Sequence, residues 1–509
     1  MGKILSGYKS SVIRDITGSN NHYYMFTSNP VSQVTIPKVT NDDYSALFTD
    51  GWQLLFGKLV KEQDILPVIK NIGWISGTVY DRYDNTKDMA SKNFYCVTPP
   101  STPGGDYLIF KCIDNNYGSA STERPVEGDI QTTSVTKLDG YIWRYITSIT
   151  NASYEKFATS SYIPVYGNTT IQAASLVNSG VDVVVVANNG SSYNAYHNGN
   201  IQSVQSATVL QIESNASINN DFYVNNGIYI YNDLTATSDL NVITGYVSNA
   251  TGKWITLASE ANVNIIDPGV THYIISPRVV FRTNGETPTK AYSVINTVSN
   301  SINNIVIVDT GSAVSWANVH VESNSIFGTG ANLYAIVPPP GGHGLDPGQE
   351  LYIKGFCIST TFANNENDTI PTEFTYNKIG LLDNPYMINN TTGGKQEFPY
   401  VSNTFSAVAN TVPLDGTVFP VGAVLTGTVT NTTVIVAFSN STSLLLTGDK
   451  TLSESDTLVS ADGSLSTQIS INTLGDIFTK DIRPIYVQNF SDVTRSNTTS
   501  EMYKLIIQV

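Results

Sequence analysis

The segment GYIWRYITSI, Gly140–Ile149, is the part of the chain that best indicates its fold. Two sets of side chains alternate along it: Tyr141, Trp143 and Tyr145 on one face, and Ile142, Arg144 and Ile146 on the other. Alternation of this kind is typical of a β-strand. Because both faces are large and mostly apolar, we expect the strand to be covered on both sides. The segment therefore predicts an inner strand of a layered β core.

The composition of the whole chain agrees with a β-rich protein. Of its 509 residues, 41% are hydrophobic, which is enough to bury a large core, and only 14% are charged. Asn, Ser, Thr, Gly and Tyr are plentiful, a mixture that favours strands and turns over long helices. We predict a mainly β fold: a β-sandwich core with a few helices, interrupted by inserted small all-β, barrel-like modules.

The charge of the chain limits the partners that it can bind, and its cysteines limit the disulfide and metal chemistry that it can support. The formal net charge is −15, and no cluster of Lys and Arg could neutralise a row of phosphates. We therefore expect the chain to bind neither nucleic acid nor an anionic membrane surface. Three cysteines without CxxC spacing predict buried, reduced thiols rather than a disulfide framework or a zinc site: Cys96, Cys112 and Cys357.

Shifts in composition divide the chain into a core and two inserted regions. Short β runs separated by Asn, Ser, Thr and Gly fill residues 171–334 and 402–469, as is typical of all-β modules. The remaining ranges predict one β-sandwich core domain: 1–170 as its first part, 335–401 as its second part with a Gly-rich loop, and 470–509 as its closing strands. We expect both inserted regions, 171–334 and the barrel-like module at 402–469, to be separable modules on that core.

The clearest helical pattern lies near the start of the core. In TNDDYSALFTDGWQLLFGKLV, residues 40–60, apolar side chains recur at helical spacing, and Asn41 or Asp42 can cap the first turn. We predict a helix here, followed by strands at YLIFKCI (107–113) and at the segment quoted above.

The loop PPPGGHG, residues 338–344, is the most site-like feature of the chain. A lone histidine among glycines can be a catalytic residue, part of a phosphate cradle, or part of a tight corner. The chain contains no GxSxG nucleophile elbow and no GxxxxGK[ST] phosphate loop. Glycine permits positive φ and proline stiffens the approach, so we favour a structural loop made of Gly341, Gly342, His343 and Gly344. We expect alanine to be tolerated at His343 and valine not to be tolerated at Gly342.

The other candidate groups predict no chemistry. The remaining histidines are isolated, and no HExxH motif occurs: His22, His197, His272 and His320. The polar run NNENDT, 364–369, offers oxygen ligands but lacks the spaced Asp residues of an EF-hand loop. We therefore predict no catalytic residue, no metal site and no cofactor.

An ordered series of segments resembles a known family. The chain resembles the baseplate wedge protein of T-even-type contractile-tailed bacteriophages (myoviruses), the product of their gene eight, in an enlarged form typical of cyanophage-like relatives. The segments that carry the resemblance are DGWQLLFGKLVKEQDILPVIKNIGW (50–74), GTVYDRYD (77–84), YLIFKCIDN (107–115), LDGYIWRYITSI (138–149), PPPGGHG (338–344), EFTYNKIGLLDNPY (373–386), DIRPI (481–485) and EMYKLIIQV (501–509). The two inserted regions fall outside it.

The resemblance implies a structural protein of the virion. It implies a β-sandwich with helical excursions that sits in pairs in each baseplate wedge, binds neighbouring wedge proteins and has no active site. Such a protein is assembled in the host cytoplasm and located in the tail baseplate. The resemblance also places Arg483 and Pro484 in an Arg-Pro-Ile turn of the closing strands, and we interpret them, with Tyr141 and Trp143, as residues of the core strands.

A second function class stays open at this point. A tail-associated protein that binds or depolymerises host glycans would use the β inserts as receptor-facing modules. A glycan-cleaving enzyme needs a pair of carboxylates beside an aromatic floor. Trp143 and Trp254 lie far apart in the sequence, and no carboxylate pair stands out beside either.

Overall fold

The computed structural model describes residues 22–28, 53–262, 266–322, 328–363, 366, 370, 372, 374–496 and 498–508. The structure is mainly β, with several sheets and one closed six-stranded barrel, which confirms the predicted fold class. The described chain forms two compact units. Unit 1 contains the described residues up to Val68 and those from Lys354 onward, and unit 2 contains Ile69–Ile353.

Unit 1 begins with three strands: β1 (Tyr23–Ser28), β2 (Leu54–Leu59) and β3 (Ile65–Lys70), of which the last continues into unit 2. Unit 2 then contains β4 (Tyr95–Thr98), β5 (Tyr107–Asn115), β6 (Val135–Thr136), β7 (Tyr141–Ile149), α1 (Asn151–Phe157), β8 (Tyr162–Pro164), α2 (Thr169–Ala174), β9 (Val183–Ser191), β10 (His197–Asn200), β11 (Ser203–Ser206), β12 (Val209–Ile212), β13 (Gly227–Asn232), β14 (Thr237–Asn249), β15 (Gly252–Leu257), β16 (His272–Ser276), β17 (Val279–Thr283), β18 (Lys290–Asn296), β19 (Ser301–Asp309), β20 (Ala317–Val321), β21 (Thr329–Ile336) and α3 (Pro347–Glu350).

The chain returns to unit 1 with β22 (Gly355–Ala363), β23 (Thr375–Asp383), β24 (Tyr386–Ile388), β25 (Lys395–Pro399), β26 (Thr404–Ser406), β27 (Ala409–Pro413), β28 (Val424–Gly427), β29 (Thr433–Ser439), β30 (Leu444–Gly448), β31 (Thr457–Ser460), β32 (Ser466–Thr473), β33 (Arg483–Thr494) and β34 (Ser500–Gln508). Short 3-10 turns occupy Glu62–Asp64, Asn116–Gly118, Glu127–Asp129 and Thr479–Asp481.

Unit 1 contains a β-sandwich. One sheet has the strand order β26-β2-β1-β23-β33, and β34, β22 and β3 are consecutive neighbours in a second. Side chains from both sheets share one core; Met25 and Phe56 come from the first, and Phe356 and Ile358 from the second. Because successive side chains of a strand point to opposite faces, the neighbouring β1 residue Phe26 packs in a separate cluster behind the first sheet.

The closed barrel of unit 1 has the strand order β27-β30-β29-β28-β31-β32. Leu444 and Leu446 point into its interior. Leu445, between them, packs instead with the sandwich core. The barrel therefore encloses its own core while its outer wall extends the sandwich core, so removing the barrel would expose apolar surface of the sandwich.

Unit 2 is organised around β7. In the sheet β4-β5-β7-β6, β7 lies between two strands, and Tyr141, Trp143 and Ile146 are fully buried. A seven-stranded sheet, β10-β16-β13-β14-β15-β12-β11, has a core of its own. Unit 2 also contains three strand pairs, β9 with β21, β17 with β20 and β18 with β19.

The unit boundaries differ from the predicted domain map. Residues 69–170 and 335–353, predicted to belong to the core domain, lie in unit 2 together with 171–334. The reason is shared packing: β9 pairs with β21, and Val183 and Ile336 of that pair join the cluster that contains Trp143. The closing strands also separate, because β33 pairs with β23 and β34 with β22, in two different sheets.

The helix predicted over residues 40–60 is wrong where the structure describes it, and residues 40–52 lie outside the described residues. Leu54–Leu59 form β2, which pairs with β1 on one side and β26 on the other. Leu54 and Leu55 are buried in different clusters, so the segment is apolar on both faces and its spacing imitates a helix. A Cβ at Gly57 would lie 2.4 Å from the Phe405 ring, which explains a glycine within the strand.

Candidate functional site

The structure places the predicted site residues in separate parts of the fold. Tyr141 and Trp143 are core residues of β7 in unit 2, with stacked rings whose centroids lie 5.5 Å apart. Arg483 and Pro484 open β33 in unit 1, opposite Asp383 and Leu382 respectively. The glycine-rich loop belongs to unit 2, and its histidine lies at the centre of a buried cluster of charges.

The loop reverses the chain through residues in the left-handed region. Gly341, Gly342 and Gly344 have φ angles of 84°, 92° and 77°, which favour glycine over any residue with a Cβ. The Gly342 N–H donates to the carbonyl of Pro339 at 2.8 Å. A Cβ on Gly342 would lie 2.1 Å from the backbone oxygen of Ser175. The glycines therefore permit both the turn and its close approach to the chain after α2.

Helix α3 begins directly behind the loop. Asp346 caps it by accepting a hydrogen bond from the Gln349 N–H at 3.0 Å, and Pro347 occupies its first turn, a position that suits proline. The Asp-Pro-Gly sequence, which predicted only a turn, thus starts a short helix. Its last residue, Glu350, is buried and reaches back to the loop, where its Oε2 accepts from the Gly344 N–H at 2.7 Å.

His343 lies between two carboxylates. Its Nδ1 is 2.7 Å from Glu350 Oε1, and its Nε2 is 3.0 Å from Asp182 Oδ2. The side chain is 1% exposed, so neither contact exchanges readily with water. Both ring nitrogens therefore face a carboxylate oxygen at hydrogen-bond distance.

Lys111 completes the cluster from β5. Its Nζ lies 2.7 Å from Glu350 Oε1 and 3.2 Å from the centroid of the Tyr83 ring. Burial alone would raise the pKa of Glu350, but Lys111 and His343 hold it well below the usual range. Burial lowers the pKa of Lys111 against the attraction of the same carboxylate. We call these four residues, Lys111, Asp182, His343 and Glu350, the charge cluster.

The charge cluster joins distant segments of unit 2. In a Ser-His-acid site a hydroxyl occupies one ring nitrogen of the histidine; here carboxylates occupy both nitrogens. Charge-assisted hydrogen bonds therefore connect four segments of unit 2: β5, the loop, α3 and the start of β9.

The expectation that alanine is tolerated at His343 needs correction. That expectation assumed that the His343 side chain makes no stabilising contact and that only the glycines shape the corner. In the structure each ring nitrogen lies within hydrogen-bond distance of a carboxylate. Removing it leaves Asp182 without this partner, and an unpaired buried charge is strongly destabilising.

Sequence reasoning missed Lys111, Asp182 and Glu350 as members of one site. A usable signal is present, because Lys111 and Arg144 each interrupt a run of large apolar side chains, and a buried charge requires a partner. The identity of the two carboxylates carries no comparable signal in the sequence.

The structure also describes the cysteines and part of the polar run 364–369. The three cysteines are free and buried. The run 364–369 lies outside the described residues apart from Glu366, whose carboxylate accepts from Lys58 at 2.8 Å. Within the described ranges, no group of three or more His, Cys, Asp or Glu side chains could hold a metal ion. No helix among these residues is long and apolar enough to span a membrane.

The chain matches no protein-family model and no curated protein. The function of the chain is therefore inferred from its own residues and from the resemblance of its segments.

The first prediction concerns Glu350. Its folded pKa lies below the ordinary value, so its ionisation stabilises the fold above the pKa of the unfolded chain, and this contribution is lost as the pH falls through the folded pKa. Glutamine also leaves Lys111 and His343 without their shared carboxylate. We expect Glu350→Gln to cost about 3–5 kcal/mol of unfolding free energy near neutral pH and to weaken the acid dependence of stability.

Urea unfolding at several pH values, followed by tryptophan fluorescence, measures this effect. Four tryptophans report on unit 2: Trp74, Trp143, Trp254 and Trp316. The matched control is Glu322→Gln, which removes a half-exposed ion pair with Arg278 and should cost no more than about 1 kcal/mol. Similar losses in the two variants, or an unchanged acid dependence in Glu350→Gln, would contradict the role assigned to Glu350.

The second prediction concerns Gly342. Alanine at either Gly341 or Gly342 is strained by positive φ, at about 1–3 kcal/mol. At Gly341 the new Cβ meets only the end of the Leu345 side chain, whereas at Gly342 it meets the Ser175 backbone. Thermal unfolding should therefore show a clearly larger loss for Gly342→Ala than for Gly341→Ala. Equal losses would mean that strain alone, without the close approach, requires the glycine.

Proposed function

We propose that this chain is a structural component of the baseplate wedge of a contractile phage tail. In this role it binds neighbouring wedge proteins and pairs with a second copy of itself. It is assembled in the host cytoplasm and carried in the virion.

The observation that carries the proposal is the pairing among the family-like segments. YLIFKCIDN forms β5 and pairs with β7 of LDGYIWRYITSI, from Tyr107 opposite Ile149 to Asn115 opposite Tyr141. In unit 1, the strand of EFTYNKIGLLDNPY pairs with the strand that begins in DIRPI. Segments recognised only by their order along the chain thus meet as neighbouring strands of the two cores, as parts of one ancestral fold would.

The charge cluster also supports a structural role. Four buried charged side chains from separate segments hold one another in place, and charge-assisted hydrogen bonds are the stronger and more directional ones. Such a cluster suits a subunit that must keep its shape under load. The inserted β regions add surface to the same scaffold.

The experiment is immunogold labelling of phage particles that encode this chain, with antibody raised against the purified protein and pre-immune serum as control. We expect gold at the end of the tail, both in intact particles and in isolated baseplates. Gold on radiating fibres, or particles that carry no label while purified baseplates also lack the chain, would contradict the proposal.

A specific surface favours glycan binding as a second candidate function. A depression of about 650 Å³ on the seven-stranded sheet is lined by Trp254 together with Gln205, Asn249 and Thr251. Trp254 is partly exposed, whereas Trp143 is fully buried. Aromatic rings next to amide and hydroxyl groups suit a sugar, which has an apolar face and polar edges. No carboxylate lines the depression, so its chemistry favours binding over cleavage.

Binding to host polysaccharide tests this candidate. We expect Trp254→Ala to abolish retention of the chain on immobilised host polysaccharide, and Trp316→Ala, at another exposed tryptophan of unit 2, to leave it unchanged. Retention that survives Trp254→Ala, or release of reducing ends from the polysaccharide by the parent chain, would count against a binding surface of this kind.

A further inference from the structure

A cavity of about 540 Å³ opens in unit 2 beside the charge cluster. Arg144 and Asp182 form part of its wall, with Ser134, Asn178 and Asn304 among the other lining residues. Its volume lies within the range of small-molecule sites. Its lining differs from that of a simple packing void, because charged side chains and several amide and hydroxyl groups line it.

Arg144 is the unusual member of this wall. The residue is 4% exposed. Its side chain donates no hydrogen bond to any residue that the structure describes, and its Nε is fully buried without a partner. A guanidinium offers five N–H donors in a planar fork, and buried polar groups are almost always hydrogen-bonded. The cavity is therefore the place where an acceptor for Arg144 can sit.

The hydrogen bonds of the charge cluster point the same way. Glu350 and Asp182 are hydrogen-bonded to Lys111 and His343, and Arg144 interacts with these two carboxylates only at a distance. The other acidic residue on the cavity wall, Asp114, interacts with Arg82.

We propose that this cavity binds an oxyanion, the carboxylate or phosphate group of a small molecule, through the guanidinium of Arg144. The fork of an arginine matches two oxygens of either group and binds them with two parallel hydrogen bonds. Asn178 and Asn304 offer amide N–H donors from the same wall. The inference does not depend on the proposed function, since it follows from an unpaired buried cation and the space beside it.

Titration calorimetry of the full chain at low ionic strength tests the site, with inorganic phosphate in one arm and acetate in the other. We expect saturable binding at one site in at least one arm, and the arm that binds identifies the class of oxyanion. Loss of charged hydrogen bonds weakens binding by about tenfold or more, so Arg144→Gln should reduce affinity at least that much. No saturable heat with either anion overturns the proposal.

A second pair of variants covers the case in which Arg144→Gln does not fold. Ser134 is exposed at the rim of the cavity, so its replacement leaves the buried wall intact. Ser134→Asp places a negative charge beside the anion and should weaken binding several-fold, whereas Ser134→Asn should bind as the parent does. Binding that is the same in both Ser134 variants means that the anion sits elsewhere, which also overturns the proposal.

Discussion

Lys111 and Arg144 stand directly opposite each other on neighbouring strands β5 and β7, and both are buried. Two like charges at one register of a covered sheet are unfavourable in a low-dielectric interior. The arrangement persists only if carboxylates are brought to the same place. Much of unit 2 serves this requirement: the loop and α3 bring Glu350, the chain entering β9 brings Asp182, and His343 connects the two.

The glycine loop follows from the same constraint. His343 reaches both carboxylates because the chain turns sharply on each side of it, and Gly342 approaches the backbone after α2 more closely than any side chain allows. The short helix α3 then places Glu350 so that one oxygen accepts from Lys111 and His343 and the other from the Gly344 N–H. The loop is thus a corner and the holder of a charged residue at once, two roles that the sequence had set against each other as alternatives.

Arg144 is the buried cation of this arrangement that lacks a hydrogen-bonded carboxylate. Lys111 and His343 are hydrogen-bonded to the carboxylates, whereas Arg144 has only a longer-range electrostatic interaction with Asp182 and Glu350. A protein can tolerate a buried guanidinium when an anion or ordered water completes it. A cluster that otherwise serves as structural support can thereby also provide a binding site, in a subunit whose main role we propose to be assembly.

The sequence by itself determined the class of the fold and several of its strands, because alternation of apolar side chains is a local property. It predicted the inner strand β7 and the mainly β architecture, and it located the positive-φ corner through its glycines. Local spacing failed at Leu54–Leu59, where a strand buried on both faces imitates a helix. Only the tertiary structure decided which groups meet: His343 and Asp182 are 161 residues apart, and Lys111 and Glu350 are 239 apart. A charged residue within an apolar strand indicates from the sequence that a partner is needed. Which residue becomes that partner depends on the packing of segments that are distant in the sequence, and no local pattern connects them.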